Sequence, residues 1–127
     1  MERVFKTRYF TRWMRKTSLS NEALCKSVAE MERGLIDADL GGGVFKKRVA
    51  LPGRGKRGST RTLVVTNKSD RWFFVVGFEK NVRANVSAEE LEALRHIATD
   101  LLKLASSELD VYVENGILQE ICHDGQN

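Results

Sequence analysis

The most chemically telling stretch of the sequence is residues 46–61, where Lys46, Lys47, Arg48, Arg54, Lys56, Arg57 and Arg61 occur with no acidic residue among them. A strand through the start of this stretch sends Lys46 and Arg48 to one face of a sheet, because alternate side chains share a face. If the chain then turns back into an adjacent strand, Arg61 points out beside them. Like charges held together repel, and nothing local in the sequence neutralises these. The cost is modest while the groups are solvated, and the cluster becomes favourable when phosphate arrives. Gly53, Gly55 and Gly58 interrupt the run and let backbone N–H groups approach a phosphate. The GxxxxGK(S/T) order of a nucleotide-binding loop is absent. The plainer alternatives are a solvated basic face and a flexible hairpin made basic for solubility.

Fixed cations suffice for one kind of phosphate chemistry. Attack of a ribose 2′-hydroxyl on the adjacent phosphate builds negative charge on the phosphoryl oxygens and on the leaving 5′-oxygen, and positioned cations stabilise that charge without a metal. A lysine acts as the base in such a site where neighbouring cations favour its neutral form. Other residues offer less. His96 falls on the polar face of a helix beside Glu92 and Asp100, His123 lies close to the C-terminus, and Glu79 beside Lys80 is a single carboxylate. Trp72, Phe74, Val76 and Phe78 alternate as one face of a strand and read as core rather than as a platform for stacked bases. Cys25 and Cys122 are far apart in sequence and form no CxxC or Cys/His cluster, so reduced thiols and no metal site are expected.

The elements that must position the cations are legible from periodicity. Phe5, Tyr9, Phe10, Trp13 and Met14 fall at helical spacing, which predicts a helix over 5–17 with Arg and Lys on its other face. Ser20 reads as an N-cap with Leu19 and Leu24 as a staple, and Leu24, Val28, Met31 and Leu35 form the stripe of a second helix that Gly34 ends. After Gly41-Gly42-Gly43 come strands at Val44–Leu51, Thr60–Thr66 and Arg71–Glu79, with Pro52–Gly58 as a loop and Asn67–Asp70 as a turn. Short connections predict an antiparallel sheet. Ser87-x-x-Glu90 is a capping box, stapled by Val86 and Leu91, for a helix whose stripe runs Leu91, Leu94, Ala98, Leu101 and Ala105. Ser107–Asn115 suits a last short helix, and Ile117–Ile121 a short edge strand. The fold class is therefore α+β, with N-terminal helices and one later helix packed on a twisted antiparallel sheet.

Bulk properties narrow the partner. A chain of 127 residues is one domain by length. Its net charge of +4 conceals a division: residues 1–83 hold 19 Lys and Arg against 8 Asp and Glu, a net +11, whereas residues 84–127 hold 2 against 9, a net −7. A basic surface on that scale is expected to meet a polyanion. No apolar run is long enough to span a bilayer, and the basic start MERVFKTRYFTRWMRK lacks the apolar region of a secretory signal. A soluble cytoplasmic protein without membrane contact is expected.

Together these residues carry a resemblance. GGGVFKKRVA followed by GRGKRGSTR resembles the central strand, loop and strand of RelE/HigB-type toxins of bacterial type II toxin–antitoxin systems, within the RelE/ParE superfamily. The later VVGFEKN, with NVS ahead of a Glu-Leu helix, is similar to the end of their last long strand. The likeness covers about residues 35–104, which suggests a RelE-like toxin domain over 1–104 and a C-terminal extension over 105–127. It implies helices on one face of the sheet and RNA on its concave basic face. It also implies ribosome-dependent endoribonuclease cleavage of mRNA and inhibition by a cognate antitoxin, with no cofactor. By position, Lys46 and Arg48 match the paired basic residues of the family's first long strand, Arg61 the arginine of the next, and Lys80 the lysine at the last strand's end. Lys47, Arg54, Lys56, Arg57 and Arg83 would bind RNA around that catalytic set. The strand end departs from RelE itself, since Asn81 and Ser87 stand near the places of an arginine and a tyrosine and are equivalent to neither. The rivals are a non-enzymatic gyrase poison like the ParE branch, a basic nucleic-acid-binding repressor subunit, or an inactive scaffold whose acidic C-terminal part masks its basic face.

Overall fold

The computed structural model describes residues 2–51 and 55–123, with the side chains of all of these except 55–58. In chain order the elements are β1 (Arg3–Thr7), α1 (Arg8–Met14), α2 (Asn21–Glu32), β2 (Ala38–Asp39), β3 (Val44–Leu51), β4 (Gly55–Thr66), β5 (Arg71–Glu79), α3 (Ala88–Lys103), α4 (Ser106–Glu114) and β6 (Leu118–Ile121). The strands form one sheet in the order β2-β3-β4-β5-β1-β6. The α+β class and the boundaries of β3 and β5 agree with the sequence reading, as does the capping box of α3, in which Ser87 and Glu90 exchange hydrogen bonds.

The N-terminus differs from expectation. The predicted helix over 5–17 is a strand followed by a helix of two turns, and the switch occurs at Thr7, whose side chain accepts from the Phe10 N–H as an N-cap. Phe5 is the aromatic that misled the helical count. It belongs to β1 and stacks on Phe73 of β5 with ring centroids 5.1 Å apart. β1 inserts between β5 and β6, pairing parallel with β5 and antiparallel with β6, so the sheet is not wholly antiparallel. A strand placed there buries both of its faces, which is why Val4, Phe5 and Lys6 are all inaccessible.

Two cores flank the sheet, because helices lie on both of its faces and not on one as the resemblance implied. On one face, Phe10 and Met14 of α1 and Leu24, Val28 and Met31 of α2 pack with Val4, Val49, Val64, Trp72 and Phe74. On the other, Leu94 and Ala98 of α3 and Leu109 of α4 pack with Phe5, Val44, Leu63, Val65, Phe73 and Phe78. Covering both faces makes β5 apolar almost throughout. The predicted single row of Trp72, Phe74, Val76 and Phe78 is broken by an irregularity: Leu63 pairs with Val76 but Val64 with Phe74. The extra residue inverts the alternation, so Trp72 and Phe74 join the α1–α2 core while Val76 and Phe78 join the α3–α4 core.

Three smaller expectations are also revised. β4 begins at Gly55, so the proposed loop is partly strand, and Pro52–Arg54 lie outside the described residues. Leu35 lies beyond the end of α2 and is exposed, because the chain leaves the helix through Gly34 at φ +91°. Cys25 and Cys122 form a disulfide, with Cα atoms 5.6 Å apart across a sequence separation of 97. Spacing in sequence concealed this pairing because β6 returns the C-terminal segment to the edge beside β1, against the α1–α2 core that contains Cys25. Among the described residues no helix is long and apolar enough to cross a membrane.

Two stability measurements follow. Reduction, or Cys122→Ser, should cost about 2–5 kcal/mol in urea unfolding, because the cross-link closes a long loop in the unfolded chain. Gly77 in β5 leaves the space that Trp13 fills, and a Cβ there would stand 2.2 Å from the indole. Gly77→Ala should therefore lower stability by about 1–3 kcal/mol, read as an earlier urea midpoint with an unchanged slope.

Candidate nucleic-acid interface

β3 and β4 carry the cations, and their register fixes which ones meet. Arg48 pairs directly with Arg61, and Lys46 with Leu63. Residues opposite one another in an antiparallel ladder share a face, and so do residues two apart on a strand, so Lys46, Arg48 and Arg61 all lie on the α3–α4 side of the sheet. Arg61 in turn pairs with Phe78 of β5, which continues the row. This end of the face lies beyond the region near Val44 and Val65 on which Ala98 packs. Arg48 is exposed and Lys46 and Arg61 are half-buried. Directly opposed like charges on neighbouring strands are destabilising, and here the opposition is built into the ladder.

The partners of each cation are specific. Asp37, just before β2, accepts from the Arg48 backbone N–H at 2.7 Å and from its Nε at 3.3 Å. Arg61 donates from Nη1 to Ser59 Oγ at 3.3 Å. Among the described residues no carboxylate contacts Lys46, Arg61 or Lys80. Lys80 is exposed in the turn that follows Glu79, and Glu79 pairs with Thr60 at the same end of the sheet. Arg83 folds back over the Phe78 ring, 5.3 Å from its centroid, and donates to Glu90 at 2.8 Å. The Ser87 N–H, followed by Arg83, pulls the Glu90 carboxyl below its ordinary range.

Lys47, one of the expected RNA-binding residues, is placed differently. Alternation turns it to the α1–α2 side, where it is buried and its ammonium bonds Glu30 at 3.0 Å and the Leu35 carbonyl at 2.9 Å. Lys56 and Arg57 follow Gly55 in β4, with side chains outside the described set, and Arg54 lies outside the described residues. Glu79 faces away from the Arg61–Phe78 row by the same alternation. His96 is exposed on α3, and His123 is exposed with Nε2 3.2 Å from the Glu120 carbonyl. Among the described residues no group of His, Cys, Asp or Glu could hold a metal. The acidic C-terminal part neutralises other cations: Asp110 and Glu120 both hold Arg3 at 2.8 Å.

Beside the cations, a recess of about 390 Å³ opens between α1, the end of β5 and the start of α3, with Tyr9, Trp13, Phe78, Val82 and Arg83 in its walls. It exists because β1 stops pairing at Phe74 and the chain turns into α1, which leaves Val76–Glu79 of β5 without a neighbour on that side. Sequence reasoning found Arg83 but not the recess, nor Asp37 as the counter-charge of Arg48.

Residues 2–121 of the chain match the family model of the RelE toxin of the RelE/RelB toxin–antitoxin system. The chain belongs to the RelE toxin family. A search of curated proteins finds no match. As a RelE-family toxin of a toxin–antitoxin system, it is made to be held by an antitoxin. The family match includes β1 and β6, the two strands that tie the termini of this RelE-family toxin into the sheet.

The Asp37–Arg48 contact can be tested directly. Asp37→Asn keeps an acceptor for the Arg48 backbone N–H but removes the charge. Binding of a labelled oligoribonucleotide, followed by anisotropy, should tighten roughly twofold to fivefold at low salt, the range expected for one exposed pair. Its dependence on salt should steepen as well.

Proposed function

We propose that this RelE-family toxin is a ribosome-dependent endoribonuclease that cleaves mRNA by attack of a ribose 2′-hydroxyl on the adjacent phosphate. The observation that carries the reading is the Arg48–Arg61 opposition, with Lys46 two residues along, on an uncovered stretch of the sheet. A protein gains nothing in stability from facing two arginines across a ladder, and Asp37 compensates only Arg48, so a ligand is the natural counter-charge for the rest. A phosphodiester is the ligand whose charge and fork-like oxygens suit paired guanidinium groups.

The roles follow from the surroundings. Arg61, without a carboxylate partner, is suited to the phosphoryl oxygens, on which charge grows in the transition state. Lys46, on the same face, orients the 2′-hydroxyl. Arg48 is already partly compensated by Asp37 and serves to hold the strand of RNA. Lys80, at the far end of the row, stands for the leaving 5′-oxygen, while Arg83 is engaged by Glu90 and contributes through its cover of Phe78. The cytoplasm, where ribosomes translate, is the compartment this activity requires.

The test is a translation extract programmed with one mRNA and supplied with Lys46→Ala, Arg61→Ala or Lys80→Ala, each shown to be folded by circular dichroism. Cleavage should fall by roughly 10²–10³ for Arg61→Ala, the usual loss when one transition-state donor is removed. Smaller losses are expected for the other two. Undiminished cleavage in all three variants would remove the assignment.

A further inference from the structure

Lys6 is a buried cation with no counter-charge among the described residues. It lies in β1 between Phe74 and Gln119, on the α1–α2 side of the sheet, and is 5% exposed. Its one hydrogen-bond partner among the described residues is Met14 Sδ at 3.5 Å, a weak acceptor. Burial, with Arg15 close by, lowers the pKa of its ammonium. Leaving an ammonium in this state is costly, and natural structures ordinarily pair such a group or do without it.

The surroundings are equally unfinished. Lys6 lines a shallow, open depression of about 440 Å³ with Thr11, Met14 and Arg15 of the α1 region, and with Ser20 and Asn21 at the start of α2. Thr11 Oγ1 and Asn21 Oδ1 are both buried and both lack a hydrogen-bond partner. The first turn of α2 adds the positive end of a 12-residue helix. Among the residues lining the depression there is no carboxylate to answer Lys6 and Arg15. Thr11, Arg15 and Gln119 are shared with a neighbouring depression lined also by Arg8, Arg12, Glu120 and His123.

We infer that the Lys6 depression is an anion site for a phosphate group, held by the Lys6 ammonium, the Arg15 guanidinium and the Thr11 hydroxyl. Phosphate fits the chemistry better than a carboxylate on two counts. Its oxygens radiate in three dimensions and can meet donors arriving from β1, α1 and α2 at once. A phosphate monoester near neutral pH also carries a P–OH part of the time, which can donate a hydrogen bond to Asn21 Oδ1. The site is on the opposite face of the sheet from Arg48 and Arg61, so it is separate from the proposed cleavage chemistry and does not depend on it.

The test follows the Lys6 side-chain resonance in protein labelled at lysine, identified by its loss in Lys6→Met. Titration with inorganic phosphate, with a 5′-mononucleotide and with an oligoribonucleotide lacking a terminal phosphate should each be compared with sodium chloride at matched ionic strength. A saturable shift with phosphate and the mononucleotide is expected, and tighter binding of the oligonucleotide at this resonance would identify a backbone phosphodiester as the source. Lys6→Met should weaken phosphate binding by roughly tenfold to a hundredfold, and Thr11→Val by roughly threefold to tenfold, as loss of a charged and of a neutral hydrogen bond would. Lys6→Met should retain or raise the urea midpoint, since it removes an unpaired buried charge. If Lys6→Met does not fold, Lys6→Arg identifies the resonance by the same loss, and Thr11→Val with the wild-type titration decides the matter. An unsaturable shift equal to that of chloride, or unchanged phosphate affinity in a folded Lys6→Met, overturns the inference, whatever becomes of the cleavage reading.

Discussion

Burial on both sides of the sheet is the constraint from which the rest follows. β5 is flanked by β4 and β1 at its edges and by helices above and below, so it has no polar face to offer. A sheet covered in this way has few places where a charged group can sit without desolvation. Those places are at its ends, where the helices run out, and the Arg48–Arg61 opposition is at one of them. The irregularity between Leu63 and Val64 belongs to the same logic. It turns Phe78 onto the α3–α4 side, where it gives the row of cations an apolar terminus and Arg83 a ring to cover.

How much of this was legible in the sequence depends on whether an element could be read locally. The capping box at Ser87 and Glu90 is a contact between residues three apart, and so is the Ser20 cap of α2; both are present as expected. The strand carrying Lys46 and Arg48 was readable because Gly41-Gly42-Gly43, each at positive φ, isolates it from what precedes. β1 was not readable. Five residues that include an arginine and a lysine make a strand only when β5 and β6 stand on either side, and those lie about 70 and 115 residues away in sequence. The same distance hid the Cys25–Cys122 pairing. It also hid the condition of Lys6, which looked like one more cation on the polar side of a helix.

The basic cluster was legible in composition, but its members are not equivalent once folded. Lys46, Lys47 and Arg48 are neighbours in sequence, and a strand divides them. Two face the open end of one side, and the third is buried on the other against Glu30. A tally of charge along the chain could not make that distinction, because alternation assigns neighbours to different environments. Asp37 was equally invisible as a partner, since it acts on Arg48 from the strand edge, 11 residues away.

The division of charge between the two parts of the chain has a structural counterpart in how the acidic part is used. If residues 84–127 served to mask the basic face, their carboxylates would stand against Lys46, Arg48 or Arg61. Instead Asp110 and Glu120 converge on Arg3, which lies beside Arg71 in the parallel pair, and Glu90 engages Arg83. The Arg3 pairing answers a problem the fold itself creates, because the β1–β5 register brings two arginines side by side at the start of both strands. Asp70 answers the other half, bonding Arg71 at 3.1 Å, and its carboxyl is lowered to about 2 by that contact and by Asn67. Two opposed pairs of arginines therefore exist in one sheet. The Arg3–Arg71 pair is compensated by three carboxylates and has a structural role. Among the described residues the Arg48–Arg61 pair is compensated by one carboxylate, on one member only, and that imbalance is the charge on which the proposed reading rests.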